Sequence, residues 1–257
     1  MKTNYHTHTP RCNHAIHDER AYVETALAAG FKILGFADHV PYPYEDGYVS
    51  PMRMRPDETA DYVDTLNALK HEYRGEIDIH VGFEAEYFPA LFDRLLEHLE
   101  PYDYEYLILG QHYNTDERTG SYNGVPTADR AALDTYVDEC CRALNTGAFT
   151  YFAHPDLLRF TGDESIYRAA VRALCREAKS CGVPLEYTLL GLHTGRHYPQ
   201  RAFWEEAAAV GNKVIMGWDA HQTEGLTIPD TEARAETTLC ELGLTRIKTP
   251  TLIRPRR

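Results

Sequence analysis

The sequence predicts an α/β fold: a closed barrel of parallel strands alternating with helices, formed by one domain over residues 1–257. Three observations predict it. The length, 257 residues, lies near the roughly 250 typical of (β/α) barrels. Seven short apolar runs alternate with amphipathic segments, with no linker or second composition regime between them, which is the pattern of repeated βαβ units. Residues of metal-ligand type follow six of the seven runs, always on the C-terminal side, the face where such barrels build active sites.

Taken in order, the first strand is Thr3–His6. Asp18 can N-cap the helix that follows, with Ala21, Ala26, Leu27 and Ala28 as small or apolar positions and Gly30 as its stop. Ile33–Ala37 is the second strand. The segment Pro41–Pro56 after it is a long loop rich in Pro, Tyr and Gly, of a kind more often functional than idle. Pro56-Asp57-Glu58 opens a helix to about Tyr73, with Tyr62, Leu66 and Leu69 at helical spacing. Ile77–Phe83 and Tyr106–Gly110 are the third and fourth strands, and Asp129–Leu144 is a helix closed near Gly147. Thr150–Ala153 is the fifth strand, and the helix Glu164–Cys181 closes at Gly182 and Pro184. Pro184–Tyr187 and Lys213–Gly217 complete the strands. Their helices are Arg201–Val210, stopped by Gly211, and Thr231–Leu242, stopped by Gly243.

The chain carries 26 basic and 39 acidic residues, a net of −13. Such a surface repels nucleic-acid backbones and anionic lipid, so neither is an expected partner, and an anionic substrate needs a locally positive site. Arg254, Arg256 and Arg257 read as a frayed tail. No stretch reaches the roughly 18 apolar residues of a transmembrane helix, and the polar start Met1-Lys2-Thr3-Asn4 lacks a signal-peptide pattern. Cys12, Cys140, Cys141, Cys175, Cys181 and Cys240 then read as reduced thiols of a cytoplasmic protein.

Among 13 histidines, position discriminates. His6 and His8 end the first strand, with His14 rather than His17 as the ligand in the loop beyond. His39 ends the second strand, Glu84 the third, His112 the fourth, His154 the fifth, and Asp219 and His221 the seventh. In His6-x-His8, residues two apart on an extended chain point the same way, so two imidazoles can reach one ion. Asp219-Ala220-His221 repeats this with a carboxylate and an imidazole. Glu84 can bridge two ions, as a neutral imidazole cannot. A catalytic zinc-like site uses about three protein ligands, so these nine candidates point to two or three ions. His80, inside a strand, reads as structural. His193 and His197 follow the sixth strand and read equally as substrate-facing or plain surface.

Four motifs resemble the polymerase and histidinol phosphatase (PHP) family, and within it the histidinol-phosphatase-like branch. They are His6-Thr7-His8-Thr9-Pro10-Arg11-Cys12-Asn13-His14; Gly35-Phe36-Ala37-Asp38-His39; Gly82-Phe83-Glu84-Ala85-Glu86-Tyr87 with Gly110-Gln111-His112-Tyr113; and Gly217-Trp218-Asp219-Ala220-His221. The resemblance implies a distorted (β/α)7 TIM-like barrel and a trinuclear centre of zinc, iron or manganese, ions that suit imidazole and carboxylate donors. By position it implies His6, His8, Glu84 and Asp219 at the first ion, Glu84, His112 and His154 at the second, and His14, His39 and His221 at the third. Two positions depart from the branch pattern. Trp218 stands where Ser is usual, and Glu186-Tyr187-Thr188-Leu189-Leu190-Gly191 lacks the usual Asn, which bears on substrate identity.

The implied reaction is hydrolysis of a small phosphate monoester, L-histidinol phosphate to L-histidinol and phosphate in histidine biosynthesis, by a hydroxide shared between ions. Glu84, Asp219 and His221 are the expected catalytic residues. Arg159, Arg196 and Arg11 are the candidates for a phosphate clamp. Asp38 reads either as an orienter of a ligand or as a polar residue of the barrel core. Other readings are a phosphoesterase for another sugar phosphate, nucleotide or phosphodiester, an amidohydrolase-type metal hydrolase, and a non-catalytic metal-binding domain.

Overall fold

The computed structural model describes residues 1–255, so Arg256 and Arg257 of the expected tail lie outside the described residues. Strands β1 (Lys2–Asn4), β2 (Phe31–His39), β3 (Asp78–Ala85) and β4 (Tyr106–Leu109) pair in parallel in sequence order. Strands β5 (Leu185–Thr188), β6 (Lys213–Gly217) and β7 (Thr245–Arg246) form a second parallel sheet. Two seams close these sheets into a distorted barrel. Phe152 bridges to Leu109 on one side and Leu185 on the other, and Thr7 bridges to Ala220.

Thr150–Ala153 is therefore a seam rather than the expected strand. Its backbone bonds to both neighbours, from Ala153 N–H to Leu109 O at 2.7 Å and from Glu186 N–H to Phe152 O at 2.7 Å. The ladder stops there because His154 turns away at φ 31°, a left-handed conformation that side chains with a Cβ rarely adopt. The two-residue β7 has no apolar run to announce it.

The expected helices are present as α1 (Glu19–Ala28), α2 (Thr59–Glu72, after a 3-10 turn at Pro56–Glu58), α4 (Arg130–Asn145), α5 (Glu164–Ser180), α7 (Arg201–Val210) and α8 (Pro229–Glu241). Asp18, Asp129 and Asp163 each cap a helix by accepting from a first-turn N–H, which satisfies donors that a helix start leaves free. Two short helices, α3 (Phe92–Leu99) and α6 (Leu189–Thr194), were not expected; neither has a side-chain cap to mark its start.

The alternation of strand side chains sorts the core into two clusters. Leu34, Phe36, Val81, Phe83, Leu107 and Leu109 point outward against the helices. Tyr5, Ile33, Ala37, Tyr106, Ile108, Tyr151, Ala153 and Ile215 fill the barrel. Tyr106 crosses that interior, with its hydroxyl 2.7 Å from Tyr5 O. A Cβ at Gly35 or Gly82 would overlap the Tyr106 side chain, so those two glycines make the crossing possible.

The C-terminal segment closes the bottom of the barrel. Ile247 and Leu252 pack on the inner cluster, and Ile253 O accepts from Leu107 N–H at 3.2 Å. Arg254 is docked rather than frayed: its guanidinium donates to Tyr102 O at 2.7 Å and lies 4.9 Å from the Tyr104 ring. The other end, where the strands finish, stays open. No helix among the described residues is long and apolar enough to cross a membrane.

Candidate metal centre

The Thr7–Ala220 seam assembles the first half of the site. His8 N–H donates to Ala220 O at 2.9 Å and Ala220 N–H to His6 O at 3.2 Å. His6 and His8 flank one bridge residue, Asp219 and His221 flank the other, and both pairs turn to the open end. Asp219 takes φ 48°, the second left-handed residue in the site after His154. Such conformations cost free energy and gather at functional sites.

Glu84 is the hub. Its Oε1 lies 2.8 Å from His154 Nε2 and 3.6 Å from His112 Nε2. Its Oε2 lies 3.1 Å from His39 Nδ1 and 3.5 Å from both His6 Nε2 and His8 Nε2. One carboxylate thus divides five imidazoles between its two oxygens. Burial disfavours its charge, but His112, His39 and His6 outweigh that and hold the carboxyl well below the usual range. Asp219 is held low in the same way, with His6, His8 and His221 overcoming burial.

The donor spacing fits metal ions. His6 Nε2 and His8 Nε2 are 3.2 Å apart, and Asp219 Oδ1 lies 3.5 Å from the first and 3.2 Å from the second. Four donors sharing one ion at the ~2.0–2.1 Å of zinc–nitrogen and zinc–oxygen bonds stand ~3.3–3.4 Å apart in a tetrahedron. Farther out, His14 Nε2 and His221 Nε2 face each other at 3.0 Å, with His39 in the same group. His14 Nδ1 bonds to Cys12 O and His221 Nδ1 to Asp219 O. A carbonyl only accepts, so Nδ1 carries the proton in both rings and two Nε2 lone pairs oppose each other. That arrangement calls for a cation or a proton between them. Burial and the neighbouring His8 push His221 down to about 3, which leaves it neutral, the form a metal needs.

Carboxylates behind the imidazoles set their orientation. His6 Nδ1 donates to Glu186 at 2.8 Å, which turns Nε2 to the centre. Burial works against a charged His6, but Glu186, Asp219 and Glu84 raise it to about 10. Here a proton, or a cation in its place, balances the buried carboxylates. Thr188, at the position of the missing Asn, donates to Glu186 at 2.5 Å. Asp38 takes the orienting role: it lies 3.3 Å from His8 Nδ1 and accepts from Thr9 and from His39 N–H. Such partners fix the tautomer and direction of a ligand imidazole. Trp218 points away from the centre, its ring 5.1 Å from that of Phe31, so the Ser-to-Trp departure concerns packing.

All nine expected ligands therefore converge: His6, His8, His14, His39, Glu84, His112, His154, Asp219 and His221. Above them opens a cavity of about 290 Å³ whose walls include Met52, Tyr122, Leu157, Leu190, Arg196 and Tyr198. Of the three arginines, Arg196 reaches it and donates to Tyr198 Oη at 2.8 Å. Arg11 does not line it: its guanidinium is paired with Glu19 and Asp61. Arg159 is exposed and absent from the walls. His193 bonds to Thr231 and His197 to the backbone of the wall residue Leu157; neither imidazole lines the cavity. Tyr122, Tyr198 and the apolar walls carry no sequence mark, because loop side chains obey no periodicity.

A family model described as PHP domain matches residues 4–188. A Deinococcus radiodurans protein named "probable histidinol-phosphatase" is 29% identical over 231 residues, covering 84% of this chain and 85% of that one. The histidinol-phosphatase of Bacillus subtilis is 33% identical over 108 residues, 40% of each chain. The crystal structure of Lactococcus lactis histidinol phosphate phosphatase, complexed with zinc, L-histidinol and phosphate, superposes with a TM-score of 0.75 at 17% identity over 99% of both chains. That likeness is one of fold.

Proposed function

Since the chain belongs to the PHP domain family, we propose that it is a metal-dependent phosphatase that hydrolyses L-histidinol phosphate to L-histidinol and phosphate. The observation that carries this reading is the division of five imidazoles between the two oxygens of Glu84. A bridging carboxylate is what a multi-ion phosphoesterase centre needs. The nine residues would hold three ions in the sets His6, His8, Glu84 and Asp219; Glu84, His112 and His154; and His14, His39 and His221. Divalent ions of the zinc, iron or manganese class supply Lewis-acid polarisation of phosphoryl oxygens and lower the pKa of water towards neutrality.

The chain's own groups do the rest. Arg196 shows no carboxylate partner among the described ion pairs, so the N–H groups other than the one donating to Tyr198 Oη are open to phosphoryl oxygens. Its bond to Tyr198 aims it. Met52, Leu157 and Leu190 form an apolar wall that admits the carbon skeleton of the substrate and displaces water. Glu84, Asp219 and His221 line the cavity and lie against the reacting phosphate. Water adds to phosphorus, the bond to the alcohol oxygen breaks, and that oxygen takes up a proton. One domain spans residues 1–257 in this reading, since Asp219 and His221 complete a ligand set begun at His6. All six cysteines are free, which fits a cytoplasmic enzyme.

The test is phosphate release from histidinol phosphate, several sugar phosphates and a phosphodiester, using metal-loaded protein. A chelated sample and His112→Ala are the controls. Turnover of histidinol phosphate that chelation abolishes is expected. Activity indifferent to chelation overturns the mechanism, and release from sugar phosphates alone overturns the substrate.

A further inference from the structure

Arg53 belongs to the long loop after β2, yet it is 2% exposed. Its guanidinium pairs with Glu86 through Nη2 and with Glu117 through Nε, the latter at 2.7 Å. Both carboxylates are buried beside it. Nη1 lies 3.4 Å from Val40 O.

Each partner leads elsewhere. Glu86 Oε1 accepts from the backbone N–H of His112 at 3.2 Å and stands 3.4 Å from His112 Nδ1. The far side of that ring faces Glu84. Glu117 sits in the loop after β4 and also accepts from Ser50 Oγ at 3.2 Å. Next to it, Arg118 pairs with Asp46 at 2.5 Å and lies over the rings of Tyr44 and Tyr48. The two loops are thus locked together around one guanidinium. Each contributes a cavity wall: Met52, the neighbour of Arg53, and Tyr122.

We infer that Arg53 is a positioning residue that fixes Glu86 behind His112 and binds the two wall-forming loops into one unit with that ligand. The inference rests on the metal-centre reading above. One planar fork answers two buried carboxylates at once, which an ammonium cannot do with the same geometry. Without it, Glu86 keeps only His112 as a partner and draws Nδ1 toward itself. The opposite nitrogen then leaves Glu84, and the loops lose their common anchor.

The experiment measures zinc per chain by elemental analysis, zinc affinities by chelator competition, and kcat and KM for phosphate release. Wild type, Arg53→Met, Arg53→Lys and Glu117→Gln are compared, with metal-free melting temperature as a check on folding. Arg53→Met is expected to bind one ion about 10–100-fold more weakly, the usual effect of removing an outer partner of a ligand, and to keep the others. Arg53→Lys should recover most of that affinity with a raised KM. Glu117→Gln should raise KM while zinc content stays at the wild-type level. Folded Arg53→Met with all wild-type zinc affinities overturns the inference and leaves the metal centre standing. Wild type that binds no zinc overturns both. If Arg53→Met does not fold, Arg53→Lys decides: wild-type KM and zinc affinities together overturn the proposal.

Discussion

Gly110 leaves the space that the Glu84 carboxylate fills: a β-carbon at position 110 would overlap Glu84 Oε1. The residue after β4 is therefore glycine because the hub of the metal centre leans across it. Gly110→Ala is predicted to push Glu84 off His154 and His112 while leaving the outward core face untouched. Metal content should fall and kcat/KM drop by about 100-fold or more, as losses of outer support for a ligand alone reach that size. Elemental analysis and phosphate release on the purified variant check this. Full metal content and activity would mean that Glu84 has another place to go.

The same glycine shows what the sequence made legible. Ligands at strand ends could be read because a parallel barrel sends every strand end to one face, so position along the chain predicts position in space. Glu84, His112 and His154 are 70 residues or fewer apart and meet through that rule alone. The strand at Thr150–Ala153 could not be told from a seam, because its four residues have strand chemistry and only the turn at His154 ends the ladder. Arg11 stood inside a ligand motif, yet Glu19 and Asp61 capture it; ion pairing across loops leaves no trace in spacing. Arg53 was hidden for the same reason.

Arg196 faces the cavity and Arg11 does not, which separates two of the three arginines that the sequence offered for the phosphate clamp. Arg196→Ala should raise KM for the phosphorylated substrate about 10-fold or more, in line with the loss of a hydrogen bond to a charged group worth ~1.5–3 kcal/mol. Inhibition by inorganic phosphate should weaken in parallel. Arg11→Ala should change KM by less than about 2-fold, while losing stability because Glu19, whose side chain is 10% exposed, is left without its cation. Steady-state kinetics of the two variants side by side decide the matter; equal effects would contradict the placement of both guanidinium groups.

Glu105, at the bottom of the barrel, gives a pH dependence free of the metal centre. Burial raises its pKa, but His80, Lys70 and the Val81 N–H outweigh that and bring the carboxyl down to about 2 from the ordinary glutamate value of 4.5. Between those values the unfolded chain holds a proton that the folded one does not, so stability rises with pH there. The contribution is present above pH 4.5 and is lost as pH falls towards 2. With the side chain 29% exposed, solvent screening leaves it at about 1–2 kcal/mol. Metal-free protein unfolded in urea should show this acid limb, and Glu105→Gln should flatten it while lowering stability near neutrality. An unchanged limb in the variant would assign the acid loss to other carboxylates.

His14 and Glu84 bind different amounts of the centre, so their removal should strip it unequally. His14 is exposed at the mouth and touches the outermost group, with His221 and His39. His14→Ala takes one donor from that group and leaves the division of imidazoles around Glu84 intact. One ion of the proposed three should be lost. Metal-free stability should move by no more than about 0.5 kcal/mol, the range of surface substitutions. Glu84 is 2% exposed and lies within 3.6 Å of five imidazoles. Glu84→Ala removes the charge that two ion sets share, so at least two ions should go and activity with them. A stepwise loss, one ion for His14→Ala and two or more for Glu84→Ala, is what elemental analysis should read. Equal loss from both variants would mean that the ions bind as one cooperative unit and that the outer group has no separate existence.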